Sequence, residues 1–274
     1  MRDVDSLLAF LAGESPAKIA SDLFFEQALD FRLSPENVYE CILRNAPAHA
    51  GFFSIGGAVE DLKQGQERIK ELVKEESLAG LAALSNSSTL IVRNANQYFP
   101  ELGEIVEDGK RCIQGIVHSN LYLSSSHGEG FPMHQDAHHV FALQLHGAKR
   151  WYLQRPAVKY PHRDYRWDLD IDENLVEREF LVEEGSALFI PMGWIHRAKA
   201  ETEFSIHATI GFNPIRYSDV VCHYIRQRAG QLSILRKPVL LSSETSAQSP
   251  TGDVASGAEV RSLLELLMLD LDAN

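Results

Sequence analysis

The segment Phe131-Pro-Met-His134-Gln-Asp136 sets an imidazole and a carboxylate two residues apart. On a β-strand, residues two apart share a face, so both groups can reach one point. Sixty residues beyond Asp136, Ile190-Pro-Met-Gly-Trp-Ile-His196 brings a second imidazole just past an apolar run. A sheet that folds back over itself would gather all three. Two imidazoles and one carboxylate on one face leave the other coordination positions open, which is the ligand set of non-haem iron(II) oxygenases. An isolated H-x-D pair is a weak signal in a chain with 11 histidines. A strand histidine satisfied by its neighbours is the competing reading. His138 has the same strand parity as His134 and Asp136 and is the rival ligand. His118, His127, His139 and His146 read as surface or supporting residues. His207 reads equally as a neighbour of the metal or a polar core residue. Trp151, Trp167 and Trp194 read as packing residues.

Strands must carry these side chains. From about Arg111 to Asn213, short β-rich runs alternate with Gly, Pro and Asp turns. The runs are Ile113–Leu123, Val140–Leu145, Arg150–Leu153, Ser186–Ile190 and Phe204–Ile210. Such spacing predicts an antiparallel sandwich or barrel. Upstream the pattern is helical: Val4, Leu7, Leu8 and Leu11 recur at helical spacing. Ser34-Pro35 reads as an N-cap followed by proline at the first helical position, with Val38, Cys41 and Ile42 as the buried stripe. Residues 64–84 read as one helix with Ile69, Leu72 and Val73 on one face, and Thr89–Val92 as a strand. Leu241–Gly257 is rich in Ser, Thr, Gly and Ala and reads as a linker. Beyond it, Val260, Leu263, Leu264, Leu267 and Leu271 return to helical spacing.

The chain has 274 residues, 45% of them hydrophobic, enough for one sizeable core. Its formal net charge of −12 is the reverse of what phosphate neutralisation requires, so no nucleic-acid partner is expected. Neither a signal peptide nor an apolar run long enough to span a membrane is visible, so no membrane partner is expected. Three cysteines, an odd number without CxxC spacing, argue against a disulfide framework or a zinc ribbon and fit reduced thiols in a cytoplasmic protein.

Several ordered motifs surround the candidate ligands. They are Asn120-Leu-Tyr122-Leu, Gly130-Phe-Pro-Met-His134-Gln-Asp136, Val140-Phe-Ala-Leu-Gln144-Leu-His-Gly147-Ala-Lys149-Arg-Trp151, Glu184-Gly185 through Pro191-Met-Gly193-Trp-Ile-His196, and Ser205-Ile-His207-Ala-Thr209-Ile. Over residues 111–213 this series resembles the cupin-type JmjC oxygenases, and within them the ribosomal protein hydroxylase branch. The resemblance implies a double-stranded β-helix, or jelly roll, with N-terminal helices and a short C-terminal helix. The expected organisation is a mainly helical part over 1–110, a jelly-roll core over 111–240, a linker over 241–257 and a terminal helix over 258–274. About sixty residues follow Asn213, too few for both the helical bundle and the winged-helix domain of that branch. A ribosomal substrate is therefore not carried over.

By the same resemblance the chain would use iron(II), O₂ and 2-oxoglutarate, with His134, Asp136 and His196 as both metal ligands and catalytic residues. Lys149 matches the residue that pairs with the far carboxylate of 2-oxoglutarate, and Asn120 and Tyr122 match positions lining the oxoacid pocket. Thr209 is a further candidate. The family often has a serine slightly later, where this chain has Gly211. The chemistry agrees for Lys149: a dianion held inside a barrel needs a buried cation. Without the resemblance, Lys149 reads as a turn residue with its head in water. Arg150, of opposite parity, should point away.

The activity so implied is hydroxylation of a C–H bond, of a peptide or protein side chain or of a small amino-acid-like or natural-product molecule. A metal-binding cupin without an oxoacid and a pure binding module are the other classes. Lys159–Glu179, rich in aromatics, would suit a lid or groove wall, and the C-terminal leucine stripe would suit a homodimer contact.

Overall fold

A computed structural model describes residues 24–26, 29–56, 61–112, 115–127, 130–165, 169–172, 174–236, 261–262, 264–265 and 268. The N-terminal helical pattern at Val4–Leu11, Trp167, the linker segment and Leu263, Leu267 and Leu271 of the last stripe lie outside them. The chain divides into two compact units, Met1–Pro214 and Ile215–Asn274.

The first unit is a double-stranded β-helix. In chain order its elements are β1 (Phe24–Phe25), α1 (Pro35–His49), β2 (Phe53–Gly56), α2 (Asp61–Lys74), α3 (Leu78–Ser87), β3 (Thr89–Val92), α4 (Pro100–Cys112), β4 (Gly115–Ser125), β5 (His134–Gln135), β6 (His139–His146), β7 (Ala148–Gln154), β8 (Arg178–Glu183), β9 (Ala187–Ile190), β10 (Ile195–Ala200) and β11 (Phe204–Pro214). A seven-stranded sheet runs β1-β9-β6-β11-β4-β3-β2, and a four-stranded sheet runs β5-β10-β7-β8. Every pairing is antiparallel. Residues before 110 thus supply three strands of the larger sheet as well as helices.

Local chemistry explains the elements. Ser34 and Asn37 cap α1 reciprocally: the Ser34 N–H donates to Asn37 Oδ1 at 2.8 Å, and the Asn37 N–H donates to Ser34 Oγ at 3.4 Å. The helix expected over 64–84 is two helices. Glu76 adopts a left-handed φ of 48°, and Ser77 Oγ accepts from the Gly80 N–H at 3.0 Å, so a new helix starts there. Tyr39 and Ser85 hydroxyls, 2.7 Å apart, tie α1 to α3.

The larger sheet sorts its two faces by parity. On β4, Val117, Ser119, Leu121 and Leu123 are buried, while His118, Asn120 and Tyr122 on the other face are half-buried. The apolar face belongs to the main core with Leu102 and Val106 of α4. Gly109 of α4 permits close approach, since a Cβ there would come within 3.1 Å of Val117 and Phe212. The alternate face is therefore free to line a cavity. At the β6–β7 turn Gly147 takes φ +62°, where a Cβ would meet Phe204 O at 2.3 Å, so the chain reverses tightly and sends Lys149 back across the barrel.

In the second unit, α5 (Tyr217–Ala229) is followed by a short 3₁₀ turn at Ser233–Arg236. Residues 261, 262, 264, 265 and 268 are helical. Among the described residues, no helix is long and apolar enough to cross a membrane.

Candidate active site

β5 and β10 pair so that His134 lies opposite His196. Asp136 follows β5 directly, and its carbonyl accepts from the Gly193 N–H at 2.9 Å. Gly193 sits in the Pro191–Trp194 turn that launches β10, so one hydrogen bond joins the two ligand-bearing segments. The result is a compact donor set: ligand atoms of His134, Asp136 and His196 all lie within 4.8 Å of one another. His138 is outside this set; its ring lies against His118, centroids 5.5 Å apart.

Each imidazole is oriented in the same way. His134 Nδ1 lies 2.9 Å from Pro132 O, and His196 Nδ1 lies 2.9 Å from Trp194 O. A carbonyl can only accept, so each Nδ1 carries the proton and each Nε2 keeps a lone pair for a metal. His196 Nε2 stands 3.7 Å from Asp136 Oδ2. Burial, reinforced by His134, pushes His196 down to about 4, so it is neutral near pH 7. Burial opposes ionisation of Asp136, but His196, His138 and His134 together hold its carboxyl below the usual value. Two imidazoles and one carboxylate with converging ligand atoms are suited to a divalent first-row metal.

The triad opens on a cavity of about 270 Å³ that is also lined by Lys149, Asn120, Tyr122 and Thr209. Register explains the convergence: Tyr122 pairs with His207 and Asn120 with Thr209 across β4 and β11. The Tyr122 hydroxyl bonds to Asn120 and Thr209, and burial raises it above its usual range. Lys149 is only 3% exposed, so its head is not in water. Its ammonium donates to Ser124 Oγ at 3.1 Å and to His207 Nδ1 at 3.0 Å. Neither partner is an anion, and desolvation pushes Lys149 down to about 7. A buried cation without a carboxylate partner among the described residues, facing a cavity, fits an anionic ligand. The buried Trp151 Nε1–H, also in the cavity wall, has no partner among the described residues. Arg150 points to the outer face, paired with Glu179 at 2.6 Å and Glu201 at 2.7 Å.

Ser124, Thr89, Phe131 and Trp151 complete the wall without having been singled out as pocket residues. Ser124 shares the parity of Asn120 and Tyr122, a signal the sequence offered. Thr89, whose hydroxyl lies 2.9 Å from Ser124 Oγ, comes from a distant strand and gave none. Phe131 is seated against Gly56, where a Cβ would fall 2.5 Å from its ring.

Residues 97–220 match the JmjC domain family model. The chain is 33% identical over 125 residues to ribosomal oxygenase 2 of Mus musculus, covering 45% of this chain and 27% of that protein. It is 31% identical over 159 residues to ribosomal oxygenase 2 of Rattus norvegicus, covering 57% and 32%. It is 24% identical over 196 residues to the bifunctional lysine-specific demethylase and histidyl-hydroxylase NO66 of Drosophila mojavensis, covering 68% and 21%. The chain thus spans a third or less of the length of these relatives. Among solved structures it is similar to the E. coli ribosomal oxygenase YcfD in complex with cobalt and 2-oxoglutarate, with a TM-score of 0.54, 13% identity, and coverage of 90% of this chain and 62% of that one. The resemblance to JmjC oxygenases and the jelly-roll fold are both upheld.

Proposed function

We propose that this chain is an iron(II)- and 2-oxoglutarate-dependent oxygenase that hydroxylates a C–H bond of a peptide or protein side chain. One observation carries the reading: a single cavity contains both a two-His-one-carboxylate donor set and a buried lysine with no anionic partner among the described residues. His134 and His196 would hold the metal through Nε2, and Asp136 through its carboxylate. The bound iron and oxoacid supply oxidising power, with O₂ and 2-oxoglutarate consumed to give succinate, CO₂ and one oxygen atom for the substrate.

The chain's own residues bind, orient and exclude water. The Pro132 and Trp194 carbonyls hold the two imidazoles in the metal-binding tautomer. Lys149 neutralises the far carboxylate of the oxoacid, and Asn120, Tyr122 and Thr209 line its pocket. Phe131, Val140 and Ala198 form apolar wall that keeps water from the reacting atoms.

Protein side chains are the favoured substrate class because the relatives' names include ribosomal oxygenase and histidyl-hydroxylase. A net charge of −12 attracts cationic partners over a distance that salt shortens. Tyr160 and Tyr165, 75% and 63% exposed, stand in the β7–β8 connection as aromatic surface for a bound chain. A cytoplasmic location and a homodimer through the C-terminal helix complete the reading; Leu264 and Met268 are both exposed. The test is incubation of the iron(II)-loaded protein with 2-oxoglutarate and either a proteome digest or a metabolite library. Gain of one oxygen atom on peptides is expected. Modified metabolites without modified peptides would move the protein to the small-molecule class.

A further inference from the structure

An ammonium has three N–H bonds. For Lys149 two go to Ser124 Oγ and His207 Nδ1, at 3.1 and 3.0 Å, which leaves one for the cavity. The His207 ring has little freedom. It lies flat on Tyr122, with centroids 4.8 Å apart and an interplanar angle of 8°. Trp151 closes edge-on against it at 5.3 Å and 89°. These two aromatic contacts fix the plane of the imidazole. The plane fixes Nδ1, and Nδ1 fixes the direction of the ammonium.

We propose that His207 is a positioning residue for the cosubstrate: it aims the third N–H of Lys149 at the distal carboxylate of the oxoacid by accepting one of the other two. This rests on the oxoacid reading above. Burial, together with the neighbouring ammonium, holds His207 well below its usual value, so Nδ1 remains an acceptor. Around Lys149, β4 presents Ser124 and Tyr122, β11 presents His207, β3 presents Thr89 through Ser124, and β8 presents the apolar Val182. His196 of β10, with His134 and Asp136, borders the same cavity. Asp136 is the one carboxylate among these groups, and four imidazoles, those of His196, His138, His134 and His118, act on it. The acceptor on His207 is therefore a principal stabiliser of the charged lysine before the oxoacid arrives. Without it, Lys149 gives up its proton at lower pH.

Asparagine and leucine at this position have nearly the same shape, but only asparagine places an acceptor where Nδ1 stands. Both lose the stacked ring, so their difference isolates the hydrogen bond. The measurement is calorimetric titration of manganese(II)-loaded wild type, His207→Asn and His207→Leu with 2-oxoglutarate, from about pH 6 to about pH 9. The Leu variant should bind at least about ten-fold more weakly than the Asn variant near neutral pH. Its affinity should also begin to fall at lower pH, whereas Asn should keep the wild-type profile. His207→Phe, which retains a flat ring but no acceptor, should follow Leu and supplies the comparison if Leu does not fold. Equal affinities and equal pH profiles for acceptor and non-acceptor variants would overturn the proposal. A wild type that takes up manganese yet binds no 2-oxoglutarate would instead overturn the oxoacid reading beneath it.

Discussion

Lys149 is the residue whose energetics and function pull in opposite directions. Its ammonium falls from an ordinary 10.5 to about 7 on burial, so the unfolded chain binds more protons than the folded one between those values. Stability of the cosubstrate-free protein should therefore rise as pH climbs from about 7 towards 10.5, and should carry the full cost of the buried charge below about 7. Lys149→Met should melt higher than wild type at pH 7 and below, lose the pH slope and lose 2-oxoglutarate binding. A melting temperature lower than wild type at pH 6 would contradict this account of the lysine. Arg150→Ala, which removes only exposed ion pairs, should leave 2-oxoglutarate affinity almost unchanged. The neighbouring histidines separate equally clearly. Replacing His134, Asp136 or His196 with Ala should abolish metal uptake, because each supplies one of three converging ligand atoms. His138→Ala should alter metal affinity by no more than a few-fold. Loss of metal from that variant in a direct titration would show that the donor set is misassigned.

At the scale of elements, the site depends on turns more than on strands. Gly193 takes φ +85°, and a Cβ there would lie 3.0 Å from Pro161 and 3.1 Å from the Val158 carbonyl. Its N–H also holds the Asp136 carbonyl. Gly193→Val should cost roughly 1–3 kcal/mol of stability and weaken metal binding as well, since the turn sets both His196 and Asp136. Unchanged melting and metal titration would refute that role. Strand parity made the His134–Asp136 pair and the Asn120–Tyr122 pair legible, and apolar runs located β3, β4, β6, β7, β9 and β11 to within a few residues. β8 and β10 were invisible because charged residues interrupt their apolar runs: Arg178, Glu179 and Glu183 in one, Arg197 and Lys199 in the other. β1 and β2 are too short to show a period. The break between α2 and α3 turned on one left-handed residue, Glu76, in a stretch whose helical pattern continues across it. The role of His207 could not be read either, because a histidine on a buried strand gains its meaning only from the lysine, tyrosine and tryptophan packed around it.

At the scale of the whole molecule, a jelly roll with two sheets of unequal size leaves a lined cavity between core and mouth, and the chain fills that cavity with polar groups rather than closing it. Burying Lys149, His196 and His207 together would be a poor way to stabilise a fold, which is why the cavity is read as a site. The most direct test is conversion of 2-oxoglutarate to succinate by the iron(II)-loaded protein in air. Succinate formation should require iron(II), be stimulated by a protein or peptide substrate and be lost in His196→Ala and Lys149→Ala. An iron-loaded, folded wild type that yields no succinate above the His196→Ala level would contradict the oxygenase reading.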